Sequence, residues 1–494
     1  MKKNISLRAF AIFLILILAP IHIFSNNFIG VHTPHIANPY PVPVHLQSDE
    51  STFLYCSKAL TAKGELAMQG GENMAWKGNS ELTWDINVPD DESYELFLIA
   101  NVPKAGENVE ISFTSNEGIH KFVLKPTTGP YIGGRNFERI PISSKISLKK
   151  GRQVVSLSTQ GITKKESLMH IRSIELLPIS AKRKIKKEEL RAVQSRESVD
   201  WLIKSNYGLM FHWTSESVQP DGSIKSYEDA VNQFDVEKFA QMVEETGAGY
   251  VIFTIGHAES YCPAPIKSWD KRHPGKTTKR DLILEIADAL NKKGVRLIAY
   301  INGPLAFKLN VKGEPTAMEK QDFVLNFKEM LSEIGNRYGN KIAGYWFDSW
   351  YQIFEEFPEV PFEEFDRASK LGNKNRIICL NSWIYPSVTP WQDYWAGEVA
   401  SPIEIPTDGF MKDGPVPDLP YQALLIMEPY WVQQTSEMPK PRFDSKTLTN
   451  YIKECNKNKG AVTINLGIYQ DGTVGKEALE IMKEVKRNIK EQAQ

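Results

Sequence analysis

Gly344-Tyr345-Trp346-Phe347-Asp348-Ser349-Trp350 reads as a short apolar strand that ends in a carboxylate held between tryptophans. Near-continuous apolar runs of this kind belong to strands buried on both faces, as in parallel sheets. A polar residue that breaks the run at the C-terminal end marks the mouth of such a sheet, where barrel enzymes keep their chemistry. An acid beside aromatic rings suits sugar chemistry: the carboxylate meets an anomeric carbon and the rings stack on a pyranose.

Similar strand candidates surround this one from Trp201 onward: 207–213, 250–255, 296–302, 343–350, 377–383, 393–398, 423–429 and 461–467. Helical patterns lie between several of them. Asp235–Thr246 carries Val236, Phe239, Met242 and Val243 at helical spacing, and Arg280–Lys293 carries Leu282, Ile283, Ile286, Ala287 and Leu290. Stretches 321–338, 448–458 and 476–489 are similar. Strands alternating with helices predict parallel βα units. Eight of them over about 290 residues predict a (β/α)8 TIM-like barrel spanning 201–494.

The strand ends give one list: His212 and Trp213; His257 and Glu259; Tyr300 and Asn302; Asp348 and Trp350; Asn381 and Trp383; Asp393 and Glu398; Glu428, Tyr430 and Trp431; Asn465. Such a succession of His, Trp and carboxylates predicts a carbohydrate-active mouth. Asp348 and Glu398 are the candidate catalytic pair, with Glu404, Glu428 and Glu259 as alternatives for the second acid. The candidate substrate contacts are His212, Trp213, His257, Glu259, Tyr300, Trp346, Trp350, Trp383 and Trp431. No His/Cys cluster suggests a metal, and no cofactor is expected.

Before the barrel, 45–180 has a different period. Short, partly alternating runs such as Tyr94–Ala100, Val109–Phe113 and Ile171–Leu177 are separated by Gly, Asn and Pro clusters. This predicts a β-sandwich, loosely similar to jelly-roll carbohydrate-binding modules. The charged stretch 181–200 reads as a solvated linker running into a helix. At the N-terminus, Lys2 and Lys3 precede an apolar run over 9–20, followed by Ser25-Asn26. That pattern describes a secretory signal over 1–25. It predicts an exported, periplasmic or extracellular protein with no stable membrane span once the signal is removed.

The 494-residue chain has 59 basic and 60 acidic residues, so nothing in its charge invites nucleic acid. Cys56, Cys262, Cys379 and Cys455 are too scattered for a disulfide scaffold and read as buried thiols.

From Trp201 to the C-terminus the chain resembles the α-L-fucosidases of glycoside hydrolase family 29. Tyr207-Gly208-Leu209-Met210-Phe211-His212-Trp213 looks like the family's first-strand motif, which implies a sugar contact for His212. Tyr345-Trp346-Phe347-Asp348 looks like its nucleophile strand, which implies the nucleophile role for Asp348 and a sugar-facing ring for Trp346. Asp393-Tyr394-Trp395-Ala396-Gly397-Glu398 and the run 463–474 are similar to later family segments. The resemblance implies retaining hydrolysis that releases a terminal sugar from oligosaccharides or glycoconjugates through a glycosyl-aspartate intermediate.

The chain also departs from the family. Gly256-His257-Ala258-Glu259-Ser260-Tyr261 stands where the family usually has Lys-His-His-Asp-Gly-Phe. An Arg after strand five is replaced near Ser382-Trp383, and the β-region precedes the barrel instead of following it. These departures leave open a glycosidase for another sugar, such as an α-L-galactoside, and a non-catalytic exported glycan-binding protein.

Overall fold

The computed structural model describes residues 43–69, 73–127, 137–302, 317–356, 360–383, 385–399, 402, 408–411, 416 and 418–491. The signal expected at 1–25 and the alternative acid Glu404 lie outside the described residues.

Ten strands come first: β1 (Val44–His45), β2 (Thr52–Tyr55), β3 (Thr61–Gln69), β4 (Asn73–Val88), β5 (Glu92–Asn101), β6 (Glu110–Ser115), β7 (Gly118–Val123), β8 (Glu138–Leu148), β9 (Gly151–Ser158) and β10 (Ser167–Pro178). They form one sheet with the path β7-β6-β9-β4-β10-β5-β8, to which β1, β2 and β3 attach. Every pairing is antiparallel except β1 with β4. Besides pairing with β1 and β3, the 16-residue β4 divides its length between two strands: Met74–Lys77 pairs with β10, and Glu81–Val88 with β9. The break falls at Gly78–Ser80. Gly64 of β3 faces it with φ +93°, and a Cβ there would stand 2.3 Å from the Asn79 carbonyl oxygen. Only glycine fits that close approach. The bent sheet wraps Leu54, Trp76, Trp84, Leu98, Phe113 and Ile174 into a core of its own. Alternation shows along β9, where Val155 and Leu157 are buried while Arg152 and Val154 face solvent.

A helix at Lys182–Ser195, inside the expected linker, leads to the barrel. It is fastened there by Trp391 Nε1 donating to Glu188 (3.0 Å) and by Lys370 Nζ donating to the Ser195 carbonyl (3.0 Å).

The barrel strands are β11 (Gly208–Phe211), β12 (Tyr250–Gly256), β13 (Arg296–Asn302), β14 (Ile342–Asp348), β15 (Ile377–Leu380), β16 (Trp395–Glu398), β18 (Leu419–Ile426) and β19 (Ala461–Asn465), with β17 (Phe410–Met411) added antiparallel to β18. Their order is β15-β14-β13-β12-β11-β19-β18-β16, and each of these pairs is parallel. The eight strands thus make a nearly closed parallel barrel of the (β/α)8 kind.

Between β15 and β16 the ladder is replaced in part by side chains. Asp393 Oδ2 accepts from the Ile378 amide (2.7 Å), Asp393 N donates to the Ile378 carbonyl (2.9 Å), and Gln392 Oε1 accepts from the Leu380 amide (3.1 Å). Asp393 is therefore a stitch in the wall, not a mouth residue. Its carboxyl is pushed up to about 6 by burial, against the pull of Lys370.

Period 2 sorts the strand residues. Met210, Ile252, Ile298, Trp346, Cys379 and Leu424 fill the barrel interior. Leu209, Phe211, Phe253, Tyr345 and Phe347 face outward under the helices. Those helices start where Asp side chains take up free amides: Asp235 accepts from Lys238 N (3.1 Å), Asp281 from Leu284 N (3.0 Å) and Asp444 from Thr447 N (2.7 Å). Gly247, at φ +83°, ends the helix Val236–Thr246 in the left-handed conformation that favours glycine.

Candidate active site

The parity that puts Trp346 inside the barrel also points Asp348 inward, one layer nearer the mouth. Asp348 Oδ1 accepts from Ser349 N (2.6 Å) and Asn381 Nδ2 (2.8 Å), while the Tyr300 hydroxyl donates to Oδ2. Burial pushes the Tyr300 phenol well above its usual range, and the Asp348 charge adds to the shift, so Tyr300 stays a donor.

The same Asn381 amide nitrogen also donates to Glu398 Oε1. One NH2 group therefore spans the two candidate acids. Their oxygens can be no further apart than two hydrogen bonds laid end to end, the regime of about 5 Å used by retaining carboxylate pairs. Three adjacent strand ends build this unit: β14 gives Asp348, the residue after β15 gives Asn381, and β16 gives Glu398.

On the opposite wall, His212 Nδ1 lies 2.7 Å from Asn465 Oδ1. An amide oxygen only accepts, so Nδ1 carries the hydrogen and Nε2 is left as an acceptor. Burial drives the His212 pKa down to about 3, so the ring is neutral. Its neighbours are Tyr300 at 4.9 Å and Trp431 at 5.0 Å between centroids. His257 stacks on Tyr300 at 5.9 Å and lies 3.5 Å from the Glu259 carboxylate. Glu259 thus belongs to the strand-two rim, as a partner of His257. Glu216 stands with them, its carboxyl raised by burial and by the Glu259 charge.

Three tryptophans expected at the mouth are elsewhere. Trp213 follows inward-facing His212, so it points outward. It is fully buried against Tyr227, Phe234 and Phe253, with its indole N–H on the Gln470 carbonyl. Trp350 opens the helix Trp350–Glu356 and packs under it on Phe327 and Phe365. Trp346 is an interior residue, stacked beneath Tyr300 at 5.5 Å and 14° and 1% exposed. It is a floor under the mouth. Trp383 and Trp431 remain at the rim, both partly exposed.

Glu428, an alternative acid, is 1% exposed and accepts from Gly467 N at 2.8 Å. Burial pushes its pKa up to about 7. It braces the turn after β19. Ser260, Ser349 and Trp383, each just past a strand end at the mouth, have φ near +60° (61°, 59° and 56°). Left-handed non-glycine residues are costly, and they cluster at functional sites.

Residues 193–493 match the family model described as alpha-L-fucosidase. The chain belongs to the alpha-L-fucosidase family, a glycoside hydrolase family. It is 24% identical over 232 residues to tissue alpha-L-fucosidase of Bos taurus, covering 39% of this chain and 48% of the relative. It is 26% identical over 142 residues to tissue alpha-L-fucosidase of Macaca fascicularis, covering 22% and 30%. The chain thus spans about half or less of the length of these relatives. A bacterial fucosidase solved with an iminocyclitol inhibitor superposes at TM-score 0.46 with 17% identity, over 60% of this chain and 75% of that one. An alpha-L-fucosidase from Bacteroides thetaiotaomicron gives TM-score 0.45 and 16% identity, over 60% and 74%.

Asn381 and Asn465 emerge as site residues only in the structure. Both were readable as polar strand ends, but nothing in the sequence said that one bridges two acids or that the other fixes a histidine tautomer.

Proposed function

We propose that the protein is an exported retaining exo-glycosidase that removes terminal α-L-fucose from oligosaccharides or glycoconjugates. The observation that carries this reading is the Asn381 amide shared by Asp348 and Glu398. Asp348 attacks the anomeric carbon as the glycosidic C–O bond breaks, and Glu398 gives its proton to the leaving oxygen. Glu398 then takes a proton from water, which displaces Asp348 and returns the free sugar. The Nε2 acceptor of His212, together with His257 and Trp431, supports a role in gripping sugar hydroxyls and the ring face. The bent ten-stranded sheet fits a jelly-roll-like sandwich over 45–180, and the basic-then-apolar N-terminus supports export.

A second reading keeps the chemistry and changes the sugar. Ala258 stands where the family usually has a second His, while Glu259 beside His257 and Glu216 near both remain as acceptors, which favours a sugar with a different hydroxyl pattern, such as an α-L-galactoside. Incubation with 2-deoxy-2-fluoro-α-L-fucosyl fluoride tests the main reading. The expected result is a fluorofucosyl adduct on the peptide containing Asp348. An adduct on another carboxylate would remove Asp348 as nucleophile, and adduct formation only with the galactosyl analogue would select the second reading.

A further inference from the structure

The loops beside the carboxylate pair lean on the N-terminal sheet. Trp383 N donates to Asn381 Oδ1 (2.8 Å), so its indole is mounted on the residue that bridges Asp348 and Glu398. Tyr351 follows the left-handed turn at Ser349, and its ring lies 6.0 Å from that of Trp383. Both rings are partly exposed. Behind them stands buried Tyr385, 5.6 Å from Trp383.

Residues of the N-terminal sheet hold this cluster in place. Arg172 of β10 donates to the Tyr351 carbonyl (2.8 Å), pairs with Glu355 one turn further along the same helix (2.5 Å), and covers the Tyr385 ring at 4.4 Å. Asn73 of β4 donates to the Tyr385 hydroxyl (2.9 Å), and Phe137, just before β8, meets its ring edge at 4.8 Å.

We propose that Trp383 and Tyr351 form the leaving-group subsite, which takes the second pyranose ring of an oligosaccharide, and that the N-terminal sheet is a structural part of it. The proposal rests on the glycosidase reading. An acid that protonates the glycosidic oxygen needs the leaving group on its own side. The loop after β15 lies on that side, between the strands that carry Asp348 and Glu398. Partly exposed aromatic faces bind the apolar faces of a sugar ring and have no equivalent use for a bare leaving group.

The test compares two probes. One is α-L-fucosyl fluoride, whose leaving group has no ring. The other is a set of α-L-fucosyl-N-acetylglucosamine linkage isomers. For Trp383→Ala and Tyr351→Ala, kcat/KM on the preferred isomer is expected to fall about tenfold further than on the fluoride. Trp383→Phe is expected to recover most of the loss, and unchanged melting curves would exclude misfolding. Equal losses on both probes would overturn the subsite while leaving the glycosidase reading intact. So would a wild-type enzyme that cleaves the fluoride and none of the isomers. A wild type that cleaves neither would remove the glycosidase reading and the subsite with it.

Discussion

Asp348, Asn381 and Glu398 form one hydrogen-bonded unit, so under the proposed mechanism their variants should fail in different ways. Asp348→Asn keeps the size and loses the proposed nucleophile, and kcat on an activated aryl fucoside is expected to drop at least about a thousandfold, with binding of free sugar retained. Steady-state kinetics with calorimetric binding checks both. Asn381→Ala removes one hydrogen bond from each acid, so kcat is expected to fall at least about a hundredfold. Both acids lose this contact together; wild-type kcat in the variant would mean that the bridge does not position them.

Glu428 makes a prediction of opposite character. Its folded pKa, pushed up to about 7 by burial, lies above the ordinary carboxylate value of 4.5. The unfolded chain ionises first as pH rises. The group therefore stabilises the fold at low pH, and that contribution is lost as pH passes from about 4.5 through 7. Glu428→Gln is expected to be more stable than wild type at pH 8, relative to the same comparison at pH 4, by about 3 kcal/mol in urea titrations. The comparison must be a difference, because neutral His212, held down to about 3, adds a slope of the other sign below pH 6.5.

At this scale the sequence showed which residues stand at strand ends but not how they meet. His212 and Trp213 carry opposite parity, and that signal was in the sequence. The bridging role of Asn381 depends on the register of three strands, which no local pattern encodes.

The barrel elements were legible because buried parallel strands need unbroken apolar runs and their helices need a periodic face. The strand Arg296–Asn302 was readable to the residue. The neighbouring β14 ends earlier than its apolar run suggests, because Trp350 starts a helix and buries its ring beneath it. Aromatic residues do not distinguish a strand end from the first turn of a covered helix. The ion pair Arg172–Glu355 was not legible either, since it joins elements 183 residues apart. Both side chains are nearly buried, 4% and 8% exposed, so breaking one side strands the other charge. Arg172→Met is expected to lower stability by about 3–5 kcal/mol. In Arg172→Met/Glu355→Leu much of that loss should return, and thermal unfolding of the single and double variants measures it.

For the whole molecule, two sheets of unlike construction share one edge of the mouth. The alternating β-pattern and the βα period separated them in the sequence, while their contact surface came only from the structure. Cys56, Cys262, Cys379 and Cys455 are all free and buried. Dithiothreitol is therefore expected to leave the melting temperature unchanged, and a drop would indicate a crosslink.

The eight-membered wall also has a place, between β15 and β16, where side chains carry much of the pairing. Between β15 and β16 the amides of Ile378 and Leu380 are shielded by a carboxylate and a carboxamide. A side-chain clasp can swing away without peeling a strand, so these two positions should take up deuterium sooner than their counterparts in β13. The cylinder has a zip, and it opens next to Glu398.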